Sequence, residues 1–308
     1  MRMLLILLVT LGGFAAESSP ADHVVILVLD GARWSETWGR PERDLIPVRA
    51  KRLAPLGTLF TNAANTGATV TEPGHIALCT GFLQKTSNSG VDTPANPSWL
   101  QRYLAASHAD PADAWIITSK DKLAMLGNTS QKDWSGKALP NLDCGVGGRG
   151  LRSGYREDQA TVERVKEVLA AHQPRALVIN LRSPDYEGHG GNLAEYLEAI
   201  RRTDRQAGEI YDAIQAQPKM KGRTLLMITN DHGRHLDGIA TGFKDHGCDC
   251  AGCRHVELLA VGPGVQAGAV VERSVSLLDM AVSAAAVVEV KIPGSTGVVM
   301  PELVGPWL

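Results

Sequence analysis

Five short apolar segments recur along the chain with amphipathic segments between them, and this alternation constrains the fold more than any other feature. The apolar segments are residues 24–29, 115–117, 176–181, 225–229 and 258–261. They are continuous and rich in β-branched residues, which is typical of strands buried on both faces. Segments 157–172 and 193–216 carry apolar residues at helical spacing, and 277–288 reads as a small-residue, apolar helix.

Buried strands that alternate with amphipathic helices predict an α/β fold, a mostly parallel central sheet with helices on both faces. The 308 residues are enough for one large domain or two small ones. No internal repeat, low-complexity tract or long linker interrupts the pattern. We therefore expect a single domain over residues 17–308.

The first residues are typical of an export signal. A basic Arg2 precedes the apolar run 3–11, and small residues follow that run. The run is shorter than the roughly 20 residues that a membrane-spanning helix needs. We expect a signal peptide over residues 1–16 and a periplasmic or secreted mature chain without a stable membrane span. An uncleaved anchor is the alternative.

Charge and composition exclude several classes of function. The chain has 31 Lys and Arg against 33 Asp and Glu, for a formal net charge of -2. Nucleic-acid binding by bulk charge is therefore not expected, because neutralising phosphates needs a basic surface. With 44% apolar and 21% charged residues, the chain is neither disordered nor a coiled coil. Its oligomeric state is not predicted.

Acidic and histidine residues stand where three of the predicted strands end. Asp30 follows the first strand, Asp185 and His189 follow the third, and Asp231 and His232 follow the fourth. Ligands of open parallel sheets bind beyond the carboxyl ends of the strands, and divalent metals accept carboxylate and imidazole ligands. Each motif alone is also typical of a solvated turn, but together they predict a metal site.

Two further segments belong to this pattern. Thr71 opens the segment 71–75, Thr-Glu-Pro-Gly-His, which leads into an apolar helix. Its hydroxyl would lie at a helix N-terminus, where backbone N–H groups favour an anion, although an N-cap Thr has the same sequence. His246 precedes Gly247 shortly after the fourth strand; a surface loop histidine is the alternative there.

In their order along the chain these residues resemble the alkaline phosphatase superfamily. The resemblance is closest to the nucleotide pyrophosphatase/phosphodiesterase branch and to the phosphate-irrepressible alkaline phosphatases, and it runs from Val24 to about Leu303. The matching motifs are Asp30-Gly31, Thr71-x-Pro73-Gly74-His75, Asp185-x-x-x-His189, Asp231-His232-Gly233 and His246-Gly247. The resemblance implies a three-layer sandwich of helices around the sheet.

The resemblance also implies a site for two zinc ions, although oxygen and imidazole ligands would accept another divalent ion in one position. One ion would take Asp30, Thr71, Asp231 and His232, and the other Asp185, His189 and His246. Thr71 would be the nucleophile, attacking phosphorus in line and leaving a phospho-threonine that water hydrolyses. The implied function is hydrolysis of a small phosphate monoester or diester.

Substrate contacts are expected after the second predicted strand. Ser119-Lys120-Asp121-Lys122 resembles the element with which the irrepressible phosphatases contact phosphate. Lys120 and Lys122 are the expected contacts, with Asn96 as the candidate amide. Lys122 replaces an Arg of that element, so only a point charge remains. A solvated basic turn is the alternative, because Lys is usually exposed.

Other functions remain open. A sulfatase of this superfamily uses a Cys or Ser followed two residues later by Pro and then a basic residue, and segment 71–75 lacks both the Cys and the Arg. A sulfatase-like enzyme, a phosphonate hydrolase and a non-catalytic metal-binding protein on the same fold are the alternatives. His75 is expected to support its turn, His235 to support a ligand, and His255 could replace His246.

The cysteines pose a separate question. Cys248-Asp249-Cys250-Ala251-Gly252-Cys253 could bind metal or serve a redox role. In an exported protein a local disulfide is the favoured interpretation, with Cys144 as a partner for the third cysteine. Such a bridge would pin the loop that carries His246. Cys79, inside an apolar helix, is expected to be a buried small hydrophobe.

Overall fold

The computed structural model describes residues 21–304, so the predicted signal segment, residues 1–16, lies outside the described residues. A nine-stranded sheet forms the centre of this region. Its strands are β1 (His23–Leu29), β2 (Gly57–Ala64), β3 (Ala114–Thr118), β4 (Asn141–Cys144), β5 (Ala176–Leu181), β6 (Thr224–Thr229), β7 (His255–Val261), β8 (Ala269–Val271) and β9 (Val275–Ser276).

The sheet is mostly parallel, as predicted. Its strand order is β4-β3-β5-β1-β6-β7-β2-β8, and β9 pairs with β2. The five strands from β4 to β6 run parallel, whereas β7 is antiparallel to both of its neighbours. All five predicted strands are present. The sequence pattern missed β2, β4, β8 and β9, which have partly exposed or very short sequences.

Helices cover both faces. They are α1 (Thr71–Thr80), α2 (Trp99–Ser107), α3 (Asp158–His172), α4 (Ser183–Gly190), α5 (Leu193–Gln215), α6 (Ala251–Arg254), α7 (Leu277–Val287) and α8 (Pro301–Val304). Shorter 3₁₀ segments lie at Trp34–Glu36, Ala54–Leu56, Pro111–Asp113, Asp121–Gly127, Val146–Gly148 and Gly242–Lys244, and a π-helical turn at Val48–Leu53. No helix within residues 21–304 has both the length and the apolar character to cross a bilayer.

The alternation of side chains along each strand separates two apolar cores. Val24, Ile26 and Val28 of β1 face one core, which contains residues of α1, α2 and α7. The residues between them face the other core, which contains residues of α3 and α5. Because both faces of β1 are buried, its sequence is continuously apolar. The predicted three-layer arrangement of helix, sheet and helix is confirmed.

The strand directions bring distant segments to one edge of the sheet. β5, β1 and β6 are adjacent and parallel, so the residues that follow them meet at their carboxyl ends. β2 runs in the same direction, since it and β6 are both antiparallel to β7. The chain therefore leaves β2 for α1 at this edge, and the connection between β6 and β7, residues 230–254, also lies there.

A buried ion cluster joins the second core to the sheet. Arg49 is fully buried; its Nε lies 3.0 Å from Asp204 Oδ1 on α5, and its Nη1 donates to Glu257 on β7. Glu257 also accepts a hydrogen bond from Trp38 Nε1 at 2.5 Å. Burial raises the pKa of Glu257, which the Arg49 charge opposes. Both carboxylates therefore depend on a single cation.

Replacing Arg49 by Ala should destabilise the protein by about 3–5 kcal/mol, because two buried carboxylates lose their shared cation. Arg52→Ala is the matched control. Arg52 pairs with Asp212 in an exposed position, and such pairs contribute about 1 kcal/mol or less. Urea unfolding midpoints measure both effects. Equal losses for the two variants would contradict the importance of this buried cluster.

Candidate active site

One group of predicted ligands meets beyond β5. Helix α4 begins directly after that strand and carries Asp185 and His189 one turn apart. Asp185 Oδ1 lies 3.3 Å from Nε2 of both His189 and His246, and the two Nε2 atoms are 3.1 Å apart. His246 comes from the β6–β7 connection, so three side chains from two segments converge.

The other predicted group lies deeper, at the ends of β1 and β6. His232 Nε2 is 3.6 Å from Asp30 Oδ1 and 3.4 Å from Asp231 Oδ2. Thr71 stands at the first position of α1 with its side chain buried. Its Oγ1 accepts a hydrogen bond from Lys120 Nζ at 3.0 Å, and the same Nζ lies 2.9 Å from Asp30 Oδ1.

Backbone carbonyls orient two of the histidines. His232 Nδ1 donates to the Gly233 oxygen and His246 Nδ1 to the Thr69 oxygen, each at 2.9 Å. In both rings this leaves the Nε2 lone pair directed at the carboxylates, the arrangement that metal-binding histidines adopt. Burial lowers the pKa of His232 to about 3, so its ring is neutral, as metal ligation requires.

Several buried atoms at this edge lack a hydrogen-bond partner among the described residues. They are Asp231 Oδ1 and Oδ2, and His232 Nε2. Leaving such groups unsatisfied is costly. The ligand atoms of Asp30, His75 and Asp231 lie within 4.8 Å of one another, as do those of Asp185, His232 and His246. Oxygen and imidazole donors in this arrangement fit a divalent cation.

Lys120 lies between the two groups. Its ammonium is buried, 2.6 Å from Asp185 Oδ2, and it contacts Asp30 and Thr71 as described above. Burial alone would lower the pKa of Lys120, but the charges of Asp185, Asp30 and Asp231 raise it above its ordinary value. Burial would likewise raise the pKa of Asp185, yet the charges of Lys120 and Arg234 hold it well below its usual range.

A cavity of about 380 Å³ opens above these residues. The predicted site residues on its wall are Thr71, Lys120, Lys122, Asp185, His189 and His246. Lys122 is also buried, and its Nζ donates to Asn88 Oδ1 at 2.9 Å. Burial and the charge of Lys120 lower the pKa of Lys122. Two ammonium groups therefore face the same cavity.

The structure does not bring Asn96 to this cavity. The amide on its wall is Asn88, whose Oδ1 also accepts a hydrogen bond from the Glu72 backbone N–H at 3.0 Å. Asn88 has a positive φ of 59°, which asparagine tolerates better than most residues. The loop after α1 contains both asparagines, and the sequence does not reveal which one the turn directs inward.

Three buried residues that support the ligands were missed or only partly predicted. His75 Nδ1 donates to the Thr71 oxygen at 2.9 Å and lies 3.2 Å from Asp231 Oδ2. Asn180 donates to both Asp30 Oδ2 and His75 Nε2. Arg234 Nη1 lies 2.5 Å from Asp185 Oδ1. An amide inside the apolar strand β5 was the available signal for Asn180.

The remaining predictions for histidine and cysteine need correction. His235 does not support a ligand of this site; its Nδ1 faces three cysteine sulfurs. His255 stacks on Trp34 and contacts the Thr61 oxygen, and it does not line the cavity. It therefore does not take the place of His246. Cys144 is buried at the end of β4, and no disulfide joins any two of the five cysteines in the structure, in contrast to the predicted bridge. Cys79 is buried, as predicted.

Two glycines allow the close approaches that the site requires. A Cβ on Gly74 would lie 2.6 Å from the Asp231 carbonyl oxygen, so only glycine lets α1 pack against the end of β6. Gly31 has a φ of +66°, and a Cβ there would lie 2.9 Å from Asp185. Gly31 therefore permits both the turn after Asp30 and its contact with α4.

The family model named Sulfatase matches residues 22–290. The chain belongs to the sulfatase family. This sulfatase-family protein is thereby a member of the alkaline phosphatase superfamily, as predicted, whose hydrolases act on sulfate or phosphate esters and use divalent metal ions. Family membership does not decide between the two esters.

Solved structures of both kinds of hydrolase share the fold of this sulfatase-family protein. The alkaline phosphatase PafA has a TM-score of 0.66 at 14% identity, covering 94% of this chain and 100% of PafA. BT1596, a 2-O GAG sulfatase, has a TM-score of 0.63 at 14% identity, covering 92% of this chain and 74% of BT1596.

A curated relative is the 2,3-bisphosphoglycerate-independent phosphoglycerate mutase of Halobacterium salinarum. It is 30% identical over 87 residues, which is 28% of this chain and 16% of the mutase. The sulfatase-family protein thus matches only a small part of this relative's length.

Adding Mn²⁺ to metal-free protein should raise its melting temperature, because the ion binds a set of buried ligand atoms that come together only in the folded state. At 100 times the dissociation constant the gain is about 2.7 kcal/mol. Mn²⁺ is chosen because it prefers oxygen and nitrogen ligands to thiolates. Asp231→Asn should reduce the shift, because it removes a ligand from one of the two expected ion positions.

Asp133→Asn is the control for this titration, since Asp133 is exposed and belongs to none of the possible metal-binding groups. Thermal unfolding at increasing Mn²⁺ concentration gives the measurement. A full shift in Asp231→Asn would show that the ion binds elsewhere.

Proposed function

We propose that this chain hydrolyses small phosphate esters, monoesters in preference to diesters, with Thr71 as the nucleophile. The main support for this proposal is the position of Thr71 beside two lysines. The Thr71 hydroxyl faces a cavity lined by two buried ammonium groups, those of Lys120 and Lys122. A phosphoryl group placed over Thr71 would therefore meet both positive charges.

Thr71 loses its hydroxyl proton to water and attacks phosphorus as the bond to the leaving alkoxide breaks, and the alkoxide takes a proton from water. A second water then cleaves the phospho-threonine, which releases phosphate and restores the hydroxyl. A hydroxyl is a weak nucleophile at its ordinary pKa. The Lys120 ammonium, 3.0 Å from Thr71 Oγ1, favours negative charge on that oxygen. The N-terminal turn of α1 contributes its dipole in the same direction.

The ligand groups would hold two divalent ions, one at Asp30, Thr71, Asp231 and His232 and the other at Asp185, His189 and His246. Such ions supply Lewis-acid stabilisation of the attacking and departing oxygens. The support for this assignment is the set of buried oxygen and nitrogen atoms without hydrogen-bond partners. Zinc is the ion we propose for both positions.

The preference for monoesters follows from charge. A phosphate monoester carries more negative charge than a diester or a sulfate ester, so it gains more from the two lysines. Lys122 contributes one of these two charges. Its Nζ donates a hydrogen bond to Asn88 Oδ1 at 2.9 Å, which holds the ammonium group in place. Thr71 also argues against a sulfatase of the family, because the Cys or Ser that is converted to formylglycine is absent from this position.

Thr71→Ala should lower the rate of aryl phosphate hydrolysis by at least about a thousandfold, because the attacking oxygen is lost. Thr71→Ser keeps a hydroxyl at the same position and should retain far more activity than the alanine variant. Steady-state kinetics on an aryl phosphate, its bis-aryl diester and an aryl sulfate tests both the nucleophile and the ester. Faster turnover of the sulfate than of either phosphate would refute the proposal.

Lys122→Met should lower kcat/KM for the monoester by about 10- to 100-fold, the equivalent of one hydrogen bond to a charged group. The diester should be affected less, because it has less charge to stabilise. Lys132→Met, at an exposed position, is the control. Equal losses for monoester and diester would show that Lys122 supports the fold rather than the phosphoryl group.

A further inference from the structure

Three cysteines and a histidine form a second cluster on the β6–β7 connection. The Nδ1 atom of His235 lies 3.0 Å from Cys248 Sγ, 3.3 Å from Cys253 Sγ and 4.0 Å from Cys250 Sγ. Cys248 Sγ and Cys253 Sγ are 3.7 Å apart. All four ligand atoms lie within 4.8 Å of one another.

These separations match a tetrahedral zinc site. With Zn–S bonds of about 2.3 Å and Zn–N bonds of about 2.0 Å, a tetrahedron places two sulfurs about 3.8 Å apart and a nitrogen about 3.5 Å from each sulfur. The Cys248–Cys253 distance and the mean of the three distances from His235 agree with these values. Three thiolates and one imidazole are also a ligand set that zinc accepts.

We propose that His235, Cys248, Cys250 and Cys253 bind a structural zinc ion, distinct from the ions of the active site. Four protein ligands close the coordination sphere and leave no position for substrate, which is the mark of a structural site. Cys253 and His235 are buried, and Cys248 and Cys250 are partly exposed. An ion can therefore reach the two partly exposed cysteines from solvent and also bind the two buried ligands.

The backbone around the cluster is already fixed in place. The His235 N–H donates to the Asp245 oxygen at 3.0 Å, and the His235 oxygen accepts from Arg33 Nη1 at 2.8 Å. The Cys250 N–H donates to Cys248 Sγ at 3.3 Å. A backbone N–H directed at a sulfur stabilises the thiolate form that a metal requires.

A disulfide explains the cluster less well. A bond between any two of the cysteines would leave the third sulfur beside His235 without a bonding partner. All three sulfurs face the same ring nitrogen, which is what one central ion requires and a pairwise bond does not. The chain has five cysteines, and the remaining two, Cys79 and Cys144, are buried in a core that contains none of the three cluster cysteines.

The zinc ion would help to hold the loop that carries His246 in position beside the active site. The Cys248 carbonyl oxygen accepts a hydrogen bond from Thr69 Oγ1 at 2.8 Å, and the Thr69 carbonyl oxygen accepts the bond from His246 Nδ1. The cluster thus lies two residues from His246 and is joined to the segment that leads to Thr71. Losing the ion should loosen His246 without removing any ligand of the active site.

Cobalt substitution tests the proposal by a signal that does not depend on activity. Cobalt bound by thiolates in a tetrahedron gives intense sulfur-to-cobalt charge-transfer absorption, which oxygen and nitrogen ligands alone do not give. We expect this absorption in the cobalt-loaded protein and in Asp231→Asn, but not in Cys253→Ser. Cys79→Ala, which removes a cysteine outside the cluster, should keep it.

Metal analysis of the protein as isolated gives the second readout, with at least one zinc per chain retained in Asp231→Asn. The proposal is overturned by a cobalt-loaded protein without the charge-transfer absorption. It is also overturned by an intact mass that shows two hydrogens lost to a disulfide among these cysteines. Neither result depends on whether Cys253→Ser folds, and neither bears on phosphate ester hydrolysis.

Discussion

Three carboxylates are buried together at one edge of the sheet, and the surrounding structure is arranged to offset their charge. Asp30, Asp185 and Asp231 follow the adjacent parallel strands β1, β5 and β6, so the topology itself forces them together. Buried charges of like sign are tolerated only when cations and hydrogen bonds compensate them. Lys120 contacts two of the three, and Arg234 contacts Asp185.

That compensation is incomplete, and the shortfall points to function. The Asp231 carboxylate lies 3.2 Å from His75 Nδ1 and 3.4 Å from His232 Nε2, and neither of its two carboxylate oxygens has a hydrogen-bond partner in the described chain. A fold that needed only stability would have placed apolar residues here. Retaining acidic groups that demand further positive charge makes sense if divalent ions bind at this edge.

The sequence predicts the strands, and the acidic and histidine residues that meet at the sheet edge, because both depend on local signals. An apolar run followed by Asp-Gly or Asp-His identifies a buried strand and the residue beyond its end. Asn88 was missed in favour of Asn96, because the direction of a side chain on a loop depends on tertiary contacts. His235 and Cys144 were misjudged for the same reason: only the folded loop shows that His235 faces cysteines and that Cys144 lies in the core.

The β6–β7 connection is long and has little regular structure. Residues 230–254 contain only two short helical segments, and connections of this length inside a compact domain are uncommon unless they are functional. Such a loop buries little apolar surface of its own, so hydrogen bonds and ligands must hold it. Asp231, His232 and His246 supply carboxylate and imidazole donors to the cavity, and three cysteines of the same loop supply thiols to the second cluster. Hard and soft donors that alternate along one loop allow different ions to bind at its two clusters.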